Sequence, residues 1–172
     1  MADYKQVIRE LNESGITENH FQWYGFVLGL LCRNYDPSSR SFLAINTKIM
    51  NDDEPLPGVL VACLTNYALD CQRNLKNKAK ATELFAMPSK EISKEARLGF
   101  LADLAYGLSL GLVASEDGSI SHKISNPELL EGLHTLSAIS QVDPQEDLAE
   151  DDLNEVIEYM RTLVLNTYTA QK

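Results

Sequence analysis

The sequence predicts an all-α protein, a compact multihelical bundle of about seven helices, on three observations. Apolar residues recur at i, i+3, i+4 and i+7 in several separate segments. Capping residues stand where those segments begin. No stretch sustains the alternation of a half-buried strand.

Asp3 is placed to cap a first helix whose apolar stripe is Tyr4, Val7, Ile8 and Leu11; Ser14-Gly15 ends it, with Gly15 suited to the left-handed conformation. Thr17 reads as the cap of a second helix reaching about Arg33. Asp36-Pro37 restarts the chain, with Asp as cap and Pro at the first helical position, and Phe42, Ile45 and Ile49 line one face. After the turn "NDDEPLPG", Leu60, Leu64, Tyr67, Cys71 and Leu75 mark a fourth helix. "FAMPSK" breaks the pattern at Pro88, and Ser89 or Ser93 caps a fifth helix running to about Ala114. In the polar loop that follows, Asp117-Gly118 suits a tight turn, with Ile120 and Ile124 in brief extended pairing. Asn126-Pro127 starts a sixth helix, and Leu153, Val156, Ile157, Met160 and Val164 define a seventh. The acidic segment at about 141–151 has few apolar groups and is expected to be loose; residues 1–172 form a single helical domain.

A 172-residue chain with 44% hydrophobic and 23% charged residues is long enough to bury one sizeable core. No uninterrupted apolar run approaches membrane-spanning length, and "MADYKQVIRE" lacks the apolar centre of a signal peptide, so a cytoplasmic protein is expected. Cys32, Cys63 and Cys71 fall within helical apolar patterns and read as buried, reduced thiols. The net charge of −10 is uneven: from Ile124 to Met160 there are 10 Asp or Glu and no Lys or Arg. Direct nucleic-acid binding needs a positive footprint, and the basic cluster Arg73, Lys76, Lys78 and Lys80 reads as a solvated helix end.

Two segments, "YGFVLGLLC" from Tyr24 and "YGLSLGLVA" from Tyr106, place Gly25 and Gly29, then Gly107 and Gly111, four residues apart within helices. Each interior glycine costs about 0.5–1 kcal/mol against alanine. A compensating interaction is therefore required, and close helix crossing at the missing Cβ atoms is the simplest. The alternative is a small-molecule or metal-ion binding protein or an enzyme, in which the glycines open space for a ligand and Trp23, Tyr24, Asp103 and Tyr106 stand around the pocket.

The run "GFVLGLLC", the Phe85…Pro88 turn, Arg97, "LSLGL" and the closing "DLNEVIEYMR" (Asp152 to Arg161) together resemble the YgfB/YecA family of small helical bacterial proteins. These islands keep the family's order over about half the chain, while residues 40–83 match weakly. The resemblance implies a compact all-helical domain in a family without an established enzymatic activity. This chain departs from the family in carrying Tyr24 where the family has His, Arg33 where it has Gly, and Leu104 where it has Trp. It also shows no Cys- and His-rich C-terminal metal module, so zinc is not carried over.

No catalytic constellation emerges. His20, His122 and His134 fall in no HExxH or Cys-His ligand spacing, and no Walker lysine or GxSxG elbow appears. The glycine pairs follow no strand, which excludes a Rossmann reading. The carboxylates from Asp143 to Glu155 lack the spacing and turn glycine of a calcium loop. No cofactor or metal is expected. Asp103 is the most interesting single acid: buried it would need a partner, and Arg97 lies too far along the helix to be one, so exposure at a rim is expected. The expected function is that of a non-enzymatic interaction or regulatory protein docking a basic partner, such as a nucleic-acid-binding regulator. Asp147, Glu150, Asp151, Asp152 and Glu155 are the proposed contacts, and self-association is a further expectation.

Overall fold

The structure, a computed structural model, describes residues 4–16, 19–77, 84, 91–121 and 124–170. Among them are seven helices: α1 (Tyr4–Glu13), α2 (His20–Cys32), α3 (Arg40–Met50), α4 (Gly58–Lys76), α5 (Lys94–Val113), α6 (Pro127–Ser140) and α7 (Glu150–Ala170). The one extended contact among the described residues is an isolated antiparallel bridge between Ala114 and Ile120. Ile120 thus pairs back onto the end of α5 rather than with Ile124, and Gly118, at φ 78°, takes the positive-φ position of the turn between them.

The helix starts show which capping choices prevail. Asn19 is the N-cap of α2: its side chain accepts from the backbone N–H groups of Phe21 and Gln22, and Gln22 returns the bond to the Asn19 N–H. Thr17 lies outside the described residues, as do Asp3, Phe85, Pro88, Ser89 and His122. Asp36 does not cap α3. Its side chain accepts from the Ser38 N–H inside a turn, and the helix starts after Ser39, whose hydroxyl accepts from Phe42 N–H. The expected starts at Ser93 and at Asn126-Pro127 are observed, and Gly15 ends α1 at φ 67°.

Helices α2 and α5 form the most intimate pair and the centre of the core. Every residue of α2 from Trp23 to Cys32 is buried. Helix α5 is long and apolar enough to cross a membrane by length and composition, and half of its apolar window is buried inside the fold. Around this pair, α1 packs on α4 and α2, α6 covers α5, and α7 lies against α2, α5 and α6. Cys32, Cys63 and Cys71 are buried free thiols.

The glycine pairs set the α2–α5 approach. A Cβ added at Gly25 would lie 2.2 Å from the Leu104 carbonyl oxygen, and one at Gly107 only 1.9 Å from that of Gln22. At Gly29 it would meet the Gly111 Cα at 2.7 Å, and at Gly111 the Phe26 carbonyl oxygen at 2.3 Å. Residue numbers rise together along both helices, so α2 and α5 run parallel with motif against motif. Dispersion between backbones offsets the conformational cost of the glycines.

Candidate functional site

The α2–α5 seam is tied at both ends by polar groups. At the start of α2, Asp103 accepts from Asn19 Nδ2 at 2.8 Å and from Gln22 Nε2 at 3.2 Å. The same Asn19 and Gln22 that build the capping box thus hold α5 in register. At the other end, Arg33 Nη1 donates to the Leu112 carbonyl at 2.8 Å and Tyr35 Oη to that of Ala114 at 3.3 Å. A cation at the C-terminal end of a helix satisfies orphan carbonyls and opposes the negative end of the dipole. Arg33 therefore has a structural task in this chain.

Among the described residues, Trp23, Tyr24, Asp103 and Tyr106 do not come together around a common cavity. Trp23 and Tyr24 are buried, and the Tyr24 ring packs on Tyr67 of α4 at a centroid distance of 5.2 Å. Tyr106 is 45% exposed on α5, and Asp103 is occupied by the α2 cap. The space freed at each of the four glycines is filled by backbone of the facing helix. His20 is partly buried against Phe21; burial pulls its imidazole below the ordinary 6.5, with Asp103 opposing. His134 is exposed, and among the described residues no group of three or more His, Cys, Asp or Glu is placed to hold a metal ion.

The acidic C-terminal region is more ordered in its contacts than its composition suggests. Val142 and Leu148 pack against the core, and Lys94 Nζ reaches the Leu148 carbonyl at 3.0 Å and Asp147 Oδ1 at 3.4 Å. One turn along α5, Arg97 is buried and makes a bidentate pair with Glu150, the first residue of α7; its Nη2–Oε2 distance is 2.8 Å. The segment expected to be loose is therefore clipped to the start of α5. A buried guanidinium requires such a partner, because its charge is desolvated. Of the expected docking carboxylates, Glu150 is thus committed to Arg97, and Asp147 is shared with Lys94.

Asp151, Asp152 and Glu155 remain exposed on α7, without a hydrogen-bond or ion-pair partner among the described residues. Asp151 and Asp152 lie in the first helical turn, where the positive end of the dipole favours carboxylates by about 0.3–1 kcal/mol each. Glu155 lies beyond that turn and needs another account. Of the basic cluster, Arg73 pairs with Asp70 and Lys76 with Gln72, while Lys78 and Lys80 lie outside the described residues. Sequence reasoning missed the roles of Asn19, Lys94 and Arg97. The available signal was Arg97 itself, a cation in an apolar helix that must find a carboxylate.

No family model matches this chain. Its relatives are UPF0149 proteins. One from Haemophilus influenzae (strain PittEE) is 26% identical over 171 residues, spanning 98% of this chain and 92% of that protein. Another from Pasteurella multocida (strain Pm70) is 23% identical over the same spans. The crystal structure of the lpg0076 protein from Legionella pneumophila aligns with a TM-score of 0.72, covering 98% of this chain and 94% of that one at 20% identity. The shared all-α fold is thus shown, and the relatives' names state no activity.

Proposed function

We propose that this is a non-enzymatic cytosolic interaction protein of the YgfB/YecA type, whose acidic C-terminal face docks a Lys- or Arg-rich partner protein, such as a nucleic-acid-binding regulator. The observation that carries the reading is the exposed row Asp151, Asp152 and Glu155, set in a stretch with 10 acidic residues and no Lys or Arg from Ile124 to Met160. Helix-dipole stabilisation accounts for the first two carboxylates and leaves Glu155 without a structural role. A one-sign surface steers an oppositely charged partner and speeds encounter, with a reach of about 8–10 Å at physiological ionic strength.

The test compares the wild type with an Asp151→Asn/Asp152→Asn/Glu155→Gln variant as immobilised baits, at low and at high salt. Basic proteins captured by the wild type at low salt should be lost both from the variant and at high salt. Equal capture by both baits, with circular dichroism confirming that both are folded, would remove the basis of the reading.

A further inference from the structure

A groove of about 360 Å³ runs between the N-terminal part of α6 and the C-terminal half of α7. Its lining includes Glu128, Leu129, Tyr159, Leu163 and Asn166. Resting on the acidic docking reading, we infer that this groove is an arginine-selective anchor: it takes one guanidinium-bearing side chain of the basic partner, stacked on the Tyr159 ring and paired with Glu128.

Size is the first argument. Sites for small molecules and cofactors span about 300–1,000 Å³, so this groove lies near the small end of that range and has room for one long side chain. Charge is the second. Among the described residues, Glu128 is the one acidic or basic residue in the lining, which favours a cation and disfavours phosphates and carboxylates. Shape is the third. Leu129 and Leu163 offer apolar surface to a methylene stem, and Tyr159, 37% exposed, adds an aromatic ring to the same lining. A planar guanidinium uses the ring and a bidentate carboxylate together, whereas a lysine ammonium is a compact, strongly hydrated point charge. The groove also joins the docking face. Glu155 lies four residues before Tyr159 on the same side of α7, so carboxylates lead along the helix into the groove. The arginine anchor and the steering charges thus form one surface.

Two fluorescently labelled peptides of equal length and charge, one Arg-rich and one Lys-rich, test this by anisotropy with the full chain. Wild-type protein should bind the Arg peptide about two- to fivefold more tightly than the Lys peptide, the range of an exposed cation–π contact. Tyr159→Ala should reduce that preference while leaving Lys-peptide binding intact, and Tyr159→Phe, which keeps the ring, should retain it. Glu128→Gln should weaken the Arg peptide more than the Lys peptide. The Asp151→Asn/Asp152→Asn/Glu155→Gln variant should weaken both peptides alike. An Arg-to-Lys ratio of one in the wild type, or a ratio unmoved by Tyr159→Ala, overturns the anchor and leaves the docking face standing. Failure of the wild type to bind either peptide overturns both.

Discussion

Arg97 and Glu150, 53 positions apart, meet in a bidentate ion pair that fastens the first residue of α7 to the first turns of α5. The arginine side chain is 9% exposed and the glutamate 38%, so the guanidinium bears most of the desolvation. Removing the glutamate leaves a buried cation unpaired, the costly half of breaking such a pair. Glu150→Gln should therefore lower Tm by several degrees. Arg73→Ala is the contrast: it breaks an exposed i,i+3 pair with Asp70, in a class contributing about 0–1 kcal/mol. Thermal melts of the two variants should rank in that order. Equal melting points would mean that the Arg97 pair holds nothing in place.

The α2–α5 seam makes one substitution change sign along a single helix. At Gly107 an alanine methyl would sit 1.9 Å from the Gln22 carbonyl oxygen, and only movement of one helix from the other relieves it. Overpacking of this kind costs about 1–3 kcal/mol or more, which outweighs the better helix propensity of alanine. At Gly99, on the same helix, nothing lies within 4 Å of the added Cβ. Gly99→Ala should stabilise by about 0.5–1 kcal/mol, and Gly107→Ala should destabilise. Urea unfolding midpoints measure both, and a shift in the same direction for both would contradict the close packing.

What could be read in the sequence was local or demanded compensation. Asn126-Pro127 marks a helix start by chemistry that tertiary structure has no reason to override. The glycine pairs were legible because their cost within helices calls for a nearby backbone. Caps were harder where several candidates competed. Asn19 prevails at α2 because Gln22 completes the reciprocal box and Asp103 reaches it from α5, and the second of these is invisible in a linear scan. The clip on the acidic segment was hidden for the same reason. Many carboxylates stand between Asp143 and Glu158, and only the fold selects Glu150 for Arg97. The exposed remainder of the acidic run is legible from composition, and the groove beside it depends on how α6 meets α7.

The partly buried His20 gives stability a pH dependence of known sign. Burial holds the imidazole below the ordinary 6.5 in the folded chain, while the unfolded chain keeps the ordinary value. As pH falls through 6.5 the unfolded state takes up the proton first, so stability declines until the folded-state value is reached. Above 6.5 the contribution is complete and flat. Melting points between about pH 8 and about pH 5 should fall toward acid, and His20→Gln should reduce the slope in that window. An unchanged slope in the variant would assign the effect to other groups.

Burial also makes two cysteines reporters of unfolding. The thiols of Cys32 and Cys71 are both pushed up to about 12 by desolvation, and Cys32 Sγ donates to the Val164 carbonyl at 3.5 Å. Near pH 8 only about one in ten thousand of such groups is the reactive thiolate, and no reagent reaches it without opening the core. Iodoacetamide labelling of either residue, followed by mass spectrometry, should therefore track the population of open chains. Gly107→Ala raises that population by forcing the central helices apart. Labelling of Cys32 should accelerate about tenfold for each 1.4 kcal/mol that the substitution costs. Native labelling of Cys32 at the rate of an exposed thiol would show that the α2 face toward α7 is open, against its complete burial in this fold.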